Sequence, residues 1–107
     1  MLVTNEIPKL TSEQLQDARA AATKARRERA ELKAAVRSGK LSISKALETA
    51  LKSDTLSRVL VLDLIKTQPR IGDKRALEVL RRLGIAENRR IRGLGRHQMS
   101  ALIAEFH

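Results

Sequence analysis

The chain has 107 residues, and 22 Lys or Arg against 12 Asp or Glu give it a formal net charge of +10 at pH 7. A 42% hydrophobic content suits one compact domain. The lack of cysteine excludes disulfides, zinc ribbons and thiol catalysis, and the sequence lacks the run of about 18 apolar residues that a membrane-spanning helix requires.

The sequence pI of about 11.1 makes nucleic acid the leading candidate for a partner. Phe106 is the one aromatic residue. The stacking surfaces of single-strand binders therefore cannot be built, and duplex nucleic acid is the expected target.

The first predicted element is a long helix over residues 12–37. Thr11 followed by Gln14 is typical of a capping box, and Gly39 marks the helix end. Residues 1–10, "MLVTNEIPKL", are expected to form a flexible N-terminus, and they lack the order of charge and hydrophobicity of a secretory signal.

Side chains on this helix are sorted by type around its circumference at about 100° per residue. The predicted apolar stripe is alanine-rich, so it buries little area, and the N-terminal part is expected to project from the domain. Acidic residues gather on one flank of the stripe. A solvated amphipathic helix explains any single charge equally well, but the sorting favours contact with a polyanion. The stripe comprises Ala18, Ala21, Ala22, Ala25, Leu32 and Val36, and the basic flank comprises Arg19, Arg26, Arg29, Lys33 and Arg37.

Two shorter helical segments are predicted before Pro69. One covers residues 44–51 and the other begins after Ser53 or Asp54. The apolar, β-branched run at residues 59–65 suits a strand, but no partner strand is evident. We therefore predict a buried helical segment with a break near Val61.

The next unit is a Pro-x-x-Gly turn followed by an amphipathic helix that Gly84 ends as a left-handed cap. Backbone amides at the start of this helix favour an anion. Lys74 and Arg75 in its first turn oppose the helix dipole, which indicates a use beyond folding. The predicted buried side comprises Ile71, Ala76, Leu77, Val79, Leu80 and Leu83.

A second glycine turn, "NRRIRGLGR" at residues 88–96, contains four arginines and two glycines. We expect residues 93–95 to form a tight turn that exposes successive N–H groups, with Leu94 facing inward. Such a turn between arginines suits a phosphate group. The last helix follows, and its predicted apolar side comprises Met99, Leu102, Ile103 and Phe106.

The stretch "PRIGDKRALEVLRRLGI" followed by "RRIRGLG" resembles the helix-two-turns-helix part of the actinobacterial integration host factor family. The preceding "ARRERAELKAAVRSGKLSISKALE" is similar to the long helix and short helices of that family. The resemblance covers residues 10–106. It implies an all-α fold, with a long basic helix over residues 11–38 and an S13-like helix-two-turns-helix domain over residues 39–107.

Members of this family bind duplex DNA with little sequence preference, bend it, compact the nucleoid and assist phage integrases. The resemblance therefore implies a cytoplasmic protein of the nucleoid. Carried over by position, the loop that grips the DNA backbone across the minor groove comprises Arg89, Arg90, Arg92, Gly93, Leu94 and Gly95.

Neighbouring phosphate contacts are expected from Gly72, Lys74 and Arg75, and we include Arg70 and Arg96 in the same surface. Pro69 is in place to touch sugars or wedge at a base step, but a proline before a helix is usually a turn residue, and we favour that interpretation. A second DNA-binding face is predicted on the long helix, as a clamp on one duplex or a bridge between two, in a monomer. It comprises Arg26, Arg29, Lys33 and Arg37.

Three alternatives remain open. An RNA-binding protein resembling a small-subunit ribosomal protein would share the module and the charge. A repair glycosylase would be longer and would need a catalytic N-terminal residue that this chain lacks. A structural protein with an acidic partner would show only polycation-like DNA affinity. No enzyme, metal or cofactor is expected, because neither His97 nor His107 has a suitably spaced acid or hydroxyl.

Overall fold

The computed structural model describes residues 11–106, and the flexible N-terminus expected at residues 1–10 lies outside them, as does His107. Within this range the chain is all-α, as predicted. One isolated bridge, between Leu60 and Arg90, is the only β-pairing in the part described. The elements are α1 (Ser12–Arg37), α2 (Ile43–Leu51), α3 (Val61–Ile65), α4 (Asp73–Arg82) and α5 (Arg96–Phe106), with 3₁₀ turns at Leu56–Arg58 and Ile91–Gly93.

Both ends of α1 lie where the sequence predicts them. The Thr11 hydroxyl accepts from the Gln14 N–H at 3.0 Å, and the Gln14 side chain accepts from the Thr11 N–H at 3.0 Å. This reciprocal capping box satisfies two of the N–H groups that a helix start leaves unpaired. After the last turn, Gly39 adopts φ +82, the left-handed conformation that stops a helix.

The segment between α2 and α3 is less helical than predicted, because residues 59–60 of the run expected to be helical are extended. A 3₁₀ turn at Leu56–Arg58 comes first, and then Val59 and Leu60 are extended, with ψ of 140° and 136°. The extended backbone pairs with the arginine-rich loop, since Ile91 N–H donates to Val59 O at 3.0 Å. The predicted break near Val61 is confirmed, and the missing partner for the β-branched run is that loop.

The hydrophobic core lies under α2 to α5, and α1 contributes only Leu32 and Val36 to it. Leu102 is fully buried and anchors α5. Leu94, Met99, Ile103 and Phe106 pack on the core as half-buried side chains, which confirms the predicted inward faces of the loop and of α5. The fully buried large side chains are Leu47, Leu64, Ile65, Leu80, Ile91, Leu102, Val61 and Val79.

The N-terminal half of α1 projects from this core, as expected. Residues 11–24 are all exposed, so Ala18, Ala21 and Ala22 of the predicted apolar stripe have no packing partner within the described range. The described part of the chain measures 59 × 28 × 24 Å, and its radius of gyration is 17.8 Å, against about 13 Å for a compact domain of about this length. No helix of the part described is long and apolar enough to cross a bilayer.

Candidate nucleic-acid interface

The arginine-rich loop, defined here as residues 89–95, is fixed to the core through its backbone. Val61 N–H donates to Arg89 O at 2.9 Å, and Ile91 N–H donates to Val59 O at 3.0 Å. The Ile91 side chain is fully buried between these bonds. The loop is therefore a rigid platform for its side chains.

The backbone N–H groups of residues 93–95 are already bonded within the chain, contrary to our expectation that they would be exposed. Gly93 N–H donates to Arg90 O at 2.9 Å, and Leu94 N–H donates to Ile91 O at 3.1 Å. Gly95 N–H donates to the Gln98 side-chain oxygen at 2.9 Å. These bonds use the three N–H groups internally. Contacts to an anion at residues 93–95 are therefore expected from the neighbouring arginine side chains.

Gln98 is a functional candidate that the sequence interpretation missed. Its amide oxygen accepts from Gly95 N–H, and its amide nitrogen donates to Gly84 O at 2.9 Å. Gly84 has φ +71 and ends α4 as predicted. Gln98 thus joins the loop to the end of α4. A glutamine at the third helical position after Gly95 has the spacing of a capping-box partner, a signal that the sequence does contain.

The two glycines of the loop serve a different purpose from the one expected. Neither Gly93 nor Gly95 has a positive φ. A β-carbon at Gly93 would lie 3.2 Å from the Arg89 Cδ, because the Arg89 side chain crosses the loop and its Nη1 donates to Gly93 O at 3.0 Å. Gly93 therefore provides the space in which Arg89 lies.

The three arginines of the loop and Arg96 directly after it divide into two pairs by their bonding. Arg89 is tied to Gly93 O, and Arg90 Nη1 donates to Arg58 O at 2.6 Å. Each guanidinium has five N–H donors, so both keep donors for a ligand. Arg92 and Arg96 are exposed and make no hydrogen bond or ion pair within residues 11–106. The first pair is held in place and the second is free.

The Pro-x-x-Gly turn brings a second group of predicted residues to the surface. Ile71 N–H donates to Gln68 O at 3.2 Å, which closes a turn around Pro69 and Arg70. Pro69, Arg70, Gly72, Lys74 and Arg75 are all exposed. Gly72 caps α4 without a side-chain acceptor. The Lys66 ammonium lies 3.8 Å from an Asp73 carboxylate oxygen and links α3 to the start of α4.

The predicted second face on α1 is only partly open. Arg26 and Arg37 are exposed, whereas the domain partly covers Arg29 and Lys33. α1 contacts the 3₁₀ turn at Leu56–Arg58, and that turn contacts the one at Ile91–Gly93. The 3₁₀ turn at Leu56–Arg58 therefore lies between α1 and the arginine-rich loop and contacts both.

No ion pair within residues 11–106 involves the exposed basic side chains of the two turns, Arg70, Lys74, Arg75, Arg92 and Arg96. Arg82 and Glu105 form a pair at 2.8 Å that ties α4 to α5. The hydrogen bond with Glu105 and its negative charge raise the pKa of Arg82, which stays protonated. Nowhere in residues 11–106 do three or more metal-ligating side chains come together.

Comparisons with known proteins agree with this geometry. The family described as the S13-like H2TH domain matches residues 36–106. The integration host factor of Streptomyces coelicolor is 38% identical over 100 residues, which cover 94% of this chain and 94% of that protein. The integration host factor of Mycobacterium tuberculosis is also 38% identical over 100 residues, which cover 94% of this chain and 95% of that protein.

A solved structure shows the same fold. It is sIHF bound to an 8-base-pair palindromic DNA, and it is 36% identical to this chain. The superposition has a TM-score of 0.79 and covers 82% of this chain and 99% of that one.

Proposed function

Because the chain belongs to the integration host factor family of Streptomyces and mycobacteria, with its S13-like H2TH domain, we propose that it is an architectural protein that binds duplex DNA. The proposal extends to low sequence preference, to bending and compaction of the duplex and to assistance of site-specific recombination by an integrase. The single observation that carries it is the arginine-rich loop, where a rigid backbone presents four closely spaced arginines, the fourth being Arg96 directly after the loop.

Affinity comes from charge neutralisation in this proposal. Arg92 and Arg96 bind phosphates as free cations. Arg89 and Arg90 contribute the guanidinium N–H donors that are not bonded to the Gly93 and Arg58 carbonyl oxygens. Each phosphate contact releases counterions, so the logarithm of the binding constant falls by about 0.9 per contact for each tenfold rise in salt.

Sequence preference comes from DNA shape in this proposal. The exposed residues of both turns are mainly Arg, Lys and Gly. In the proposed mode they contact the phosphate backbone, and such contacts carry no base information by themselves. Groove width and ease of bending then decide which sites are occupied. Pro69 lies in the turn closed by Ile71 N–H, and we propose a turn-forming role for it ahead of a wedge at a base step.

We further propose that the protein acts as a monomer in the nucleoid and performs no chemistry. The loop and α1 supply two basic faces, and Arg26, Arg29, Lys33 and Arg37 form the second of these. That second face holds DNA as a clamp on the same duplex or as a bridge to another.

The test is a salt titration of binding to short duplex DNA, single-stranded DNA and duplex RNA. The loop variant carries Arg89→Ala, Arg90→Ala and Arg92→Ala, and the control carries Lys24→Ala, Arg27→Ala and Lys40→Ala. Both variants lose three positive charges, but the control residues are exposed and outside the predicted site. Helical circular dichroism must be retained in both, because Arg90 also bonds the Arg58 carbonyl.

We expect the loop variant to bind the duplex about 100-fold or more weakly than the wild type. The slope of the logarithm of the binding constant against the logarithm of the salt concentration should become shallower by about 3. The duplex affinity of the control should fall by less than about tenfold, because its three charges attract the DNA only through long-range electrostatics. Equal losses, or equal binding of all three nucleic acids, would indicate a generic polycation, and a preference for RNA would favour the ribosomal alternative. End-to-end energy transfer on a labelled duplex tests bending.

A further inference from the structure

An open cavity of about 470 Å³ lies between the end of α2 and the arginine-rich loop. Arg92 is the only lining residue that belongs to the predicted DNA-binding surface. Most of the cavity therefore lies beside that surface and has no function assigned to it so far. The lining residues are Leu51, Lys52, Ser53, Asp54, Ser57 and Arg92.

Hydrogen bonds within the chain hold the cavity wall in place. Ser53 N–H donates to Ala50 O at 3.1 Å, and Ser57 N–H donates to Ser53 O at 2.9 Å. The Ser53 hydroxyl accepts from Leu56 N–H at 3.1 Å. The Ser57 hydroxyl donates to Asp54 O at 3.1 Å. A partner therefore meets an ordered backbone, which limits the conformational entropy that is lost on binding.

Leu51 is the apolar side chain of the cavity wall, and it is 50% exposed. Leu15 on α1, at 38%, is the other exposed large apolar side chain in the described range. A single exposed leucine on a convex surface is ordinary. Leu51 differs because it lines a concave site, where a partner can remove its apolar area from water.

The charged side chains of the cavity favour an acidic partner. Lys52 and Arg92 make no side-chain hydrogen bond and no ion pair within residues 11–106. Asp54 is the one acidic residue of the lining, and its carboxylate lies 3.3 Å from the Arg58 guanidinium, which offsets its charge. The Ser53 hydroxyl only accepts a hydrogen bond, so its O–H can donate to a carboxylate.

We propose that this cavity binds a segment of a second protein in which a large apolar side chain stands next to a carboxylate. The apolar side chain covers Leu51, and the carboxylate pairs with Lys52 and Arg92. A phosphate backbone alone would pair with the cations and leave Leu51 in water. A small anion would leave the open cavity uncovered, whereas a protein segment matches both features. The inference goes beyond the proposed function and does not depend on DNA binding.

The test selects binders from short random peptides displayed on phage, with the wild-type chain as bait and no DNA present. The selected peptides are then titrated with the wild type and four variants. Leu51→Gln and its control Leu15→Gln each replace an exposed leucine without changing the charge. Lys52→Gln and its control Lys24→Gln each remove one positive charge from an exposed lysine. Circular dichroism checks that all four variants keep their helical signal.

We expect the selected peptides to have a large apolar residue next to Asp or Glu. Leu51→Gln should bind them about tenfold or more weakly than the wild type, and Lys52→Gln about threefold or more weakly. Leu15→Gln and Lys24→Gln should stay within about twofold of the wild type. The loss in Leu51→Gln should persist at high salt, because an apolar contact is not screened by ions.

Three results would overturn the inference. The selection yields no peptide that binds; or the selected peptides bind Leu51→Gln as tightly as Leu15→Gln, so that they meet only a basic surface. In the third, Leu51→Gln binds duplex DNA about tenfold more weakly while its peptide affinity is unchanged, so that DNA occupies the cavity. A wild type that does not prefer duplex DNA would overturn the proposed function alone, because the peptide selection uses no DNA.

Discussion

Residues 12–31 of α1, which we name the projecting helix, and residues 32–106, which we name the domain, are both helical but differ in what supports them. No side chain of the projecting helix is buried, and all buried apolar side chains belong to the domain. The projecting helix has instead a capping box, many alanines and charges at spacings of three and four. Local signals alone can thus place a helix, although isolated helices of about 15 residues are marginal in water.

The comparison separates stability from binding. In the domain, the arginine-rich loop is fixed by backbone bonds to Val59 and Val61, so its geometry exists before any ligand arrives. The projecting helix has no such support, and its order is expected to increase when a polyanion covers its basic flank. Substitutions in the two regions should therefore affect different measurements.

The largest expected difference concerns two leucines. Leu102 is fully buried and Leu15 is 38% exposed. Leu102→Ala should lower the free energy of unfolding by about 3 kcal/mol, because it removes buried area and leaves a cavity. Leu15→Ala should lower it by less than about 0.5 kcal/mol. Urea unfolding followed by circular dichroism measures both, and a large loss in Leu15→Ala would mean that the projecting helix packs on something in solution.

The features that the sequence predicts correctly are those that depend on near neighbours in the chain. The capping residues Thr11 and Gln14 set the start of α1, Gly39 and Gly84 end their helices with positive φ, and the apolar spacing of α5 matches its buried face. Each of these needs contacts within about four residues, so the local pattern contains the information.

The features that it does not predict depend on contacts between distant parts of the chain. Gln98 reaches back 14 positions to Gly84, and Arg90 reaches 32 positions to Arg58. Long-range pairing with the arginine-rich loop also accompanies the extended backbone of residues 59–60. Arg70 is a further case, because its positive φ follows from the turn and the core beneath it, and the residue type argues against it.

An intermediate effect is expected from two glutamines with similar local roles. Gln98 bonds Gly95 N–H and Gly84 O, whereas Gln14 bonds only Thr11 N–H at the tip of the projecting helix. Gln98→Ala should cost about 1 to 2 kcal/mol of global stability, because two bonds that unite the loop and α4 are lost. Gln14→Ala should leave the domain's melting temperature unchanged and reduce only helical signal.

Titration of the same variants with duplex DNA tests whether the Gln98 bonds also position the loop for binding. Gln98→Ala should also weaken DNA binding, since Gly95 N–H and the following arginine lose their fixed position. If Gln98→Ala melts earlier but binds DNA with wild-type affinity at a temperature where it is folded, the bond stabilises the fold without positioning the loop.

The smallest expected effect distinguishes the two basic faces themselves. Arg92 belongs to the domain and Arg26 to the projecting helix, and both are exposed. On a duplex of about 10 base pairs, Arg92→Ala should bind about tenfold more weakly than the wild type. Arg26→Ala should stay within about twofold, because the loop alone covers so short a site.

A duplex of about 30 base pairs distinguishes a clamp from a bridge. On this duplex the affinity of Arg26→Ala should fall below that of the wild type only if α1 clamps the same DNA. If α1 bridges, the affinity for either length is unchanged and capture of a second, labelled duplex is lost. If Arg92→Ala and Arg26→Ala lose the same affinity for the short duplex, both arginines contact the first DNA equally. The distinction between a preformed site on the loop and an unsupported helix would then be wrong.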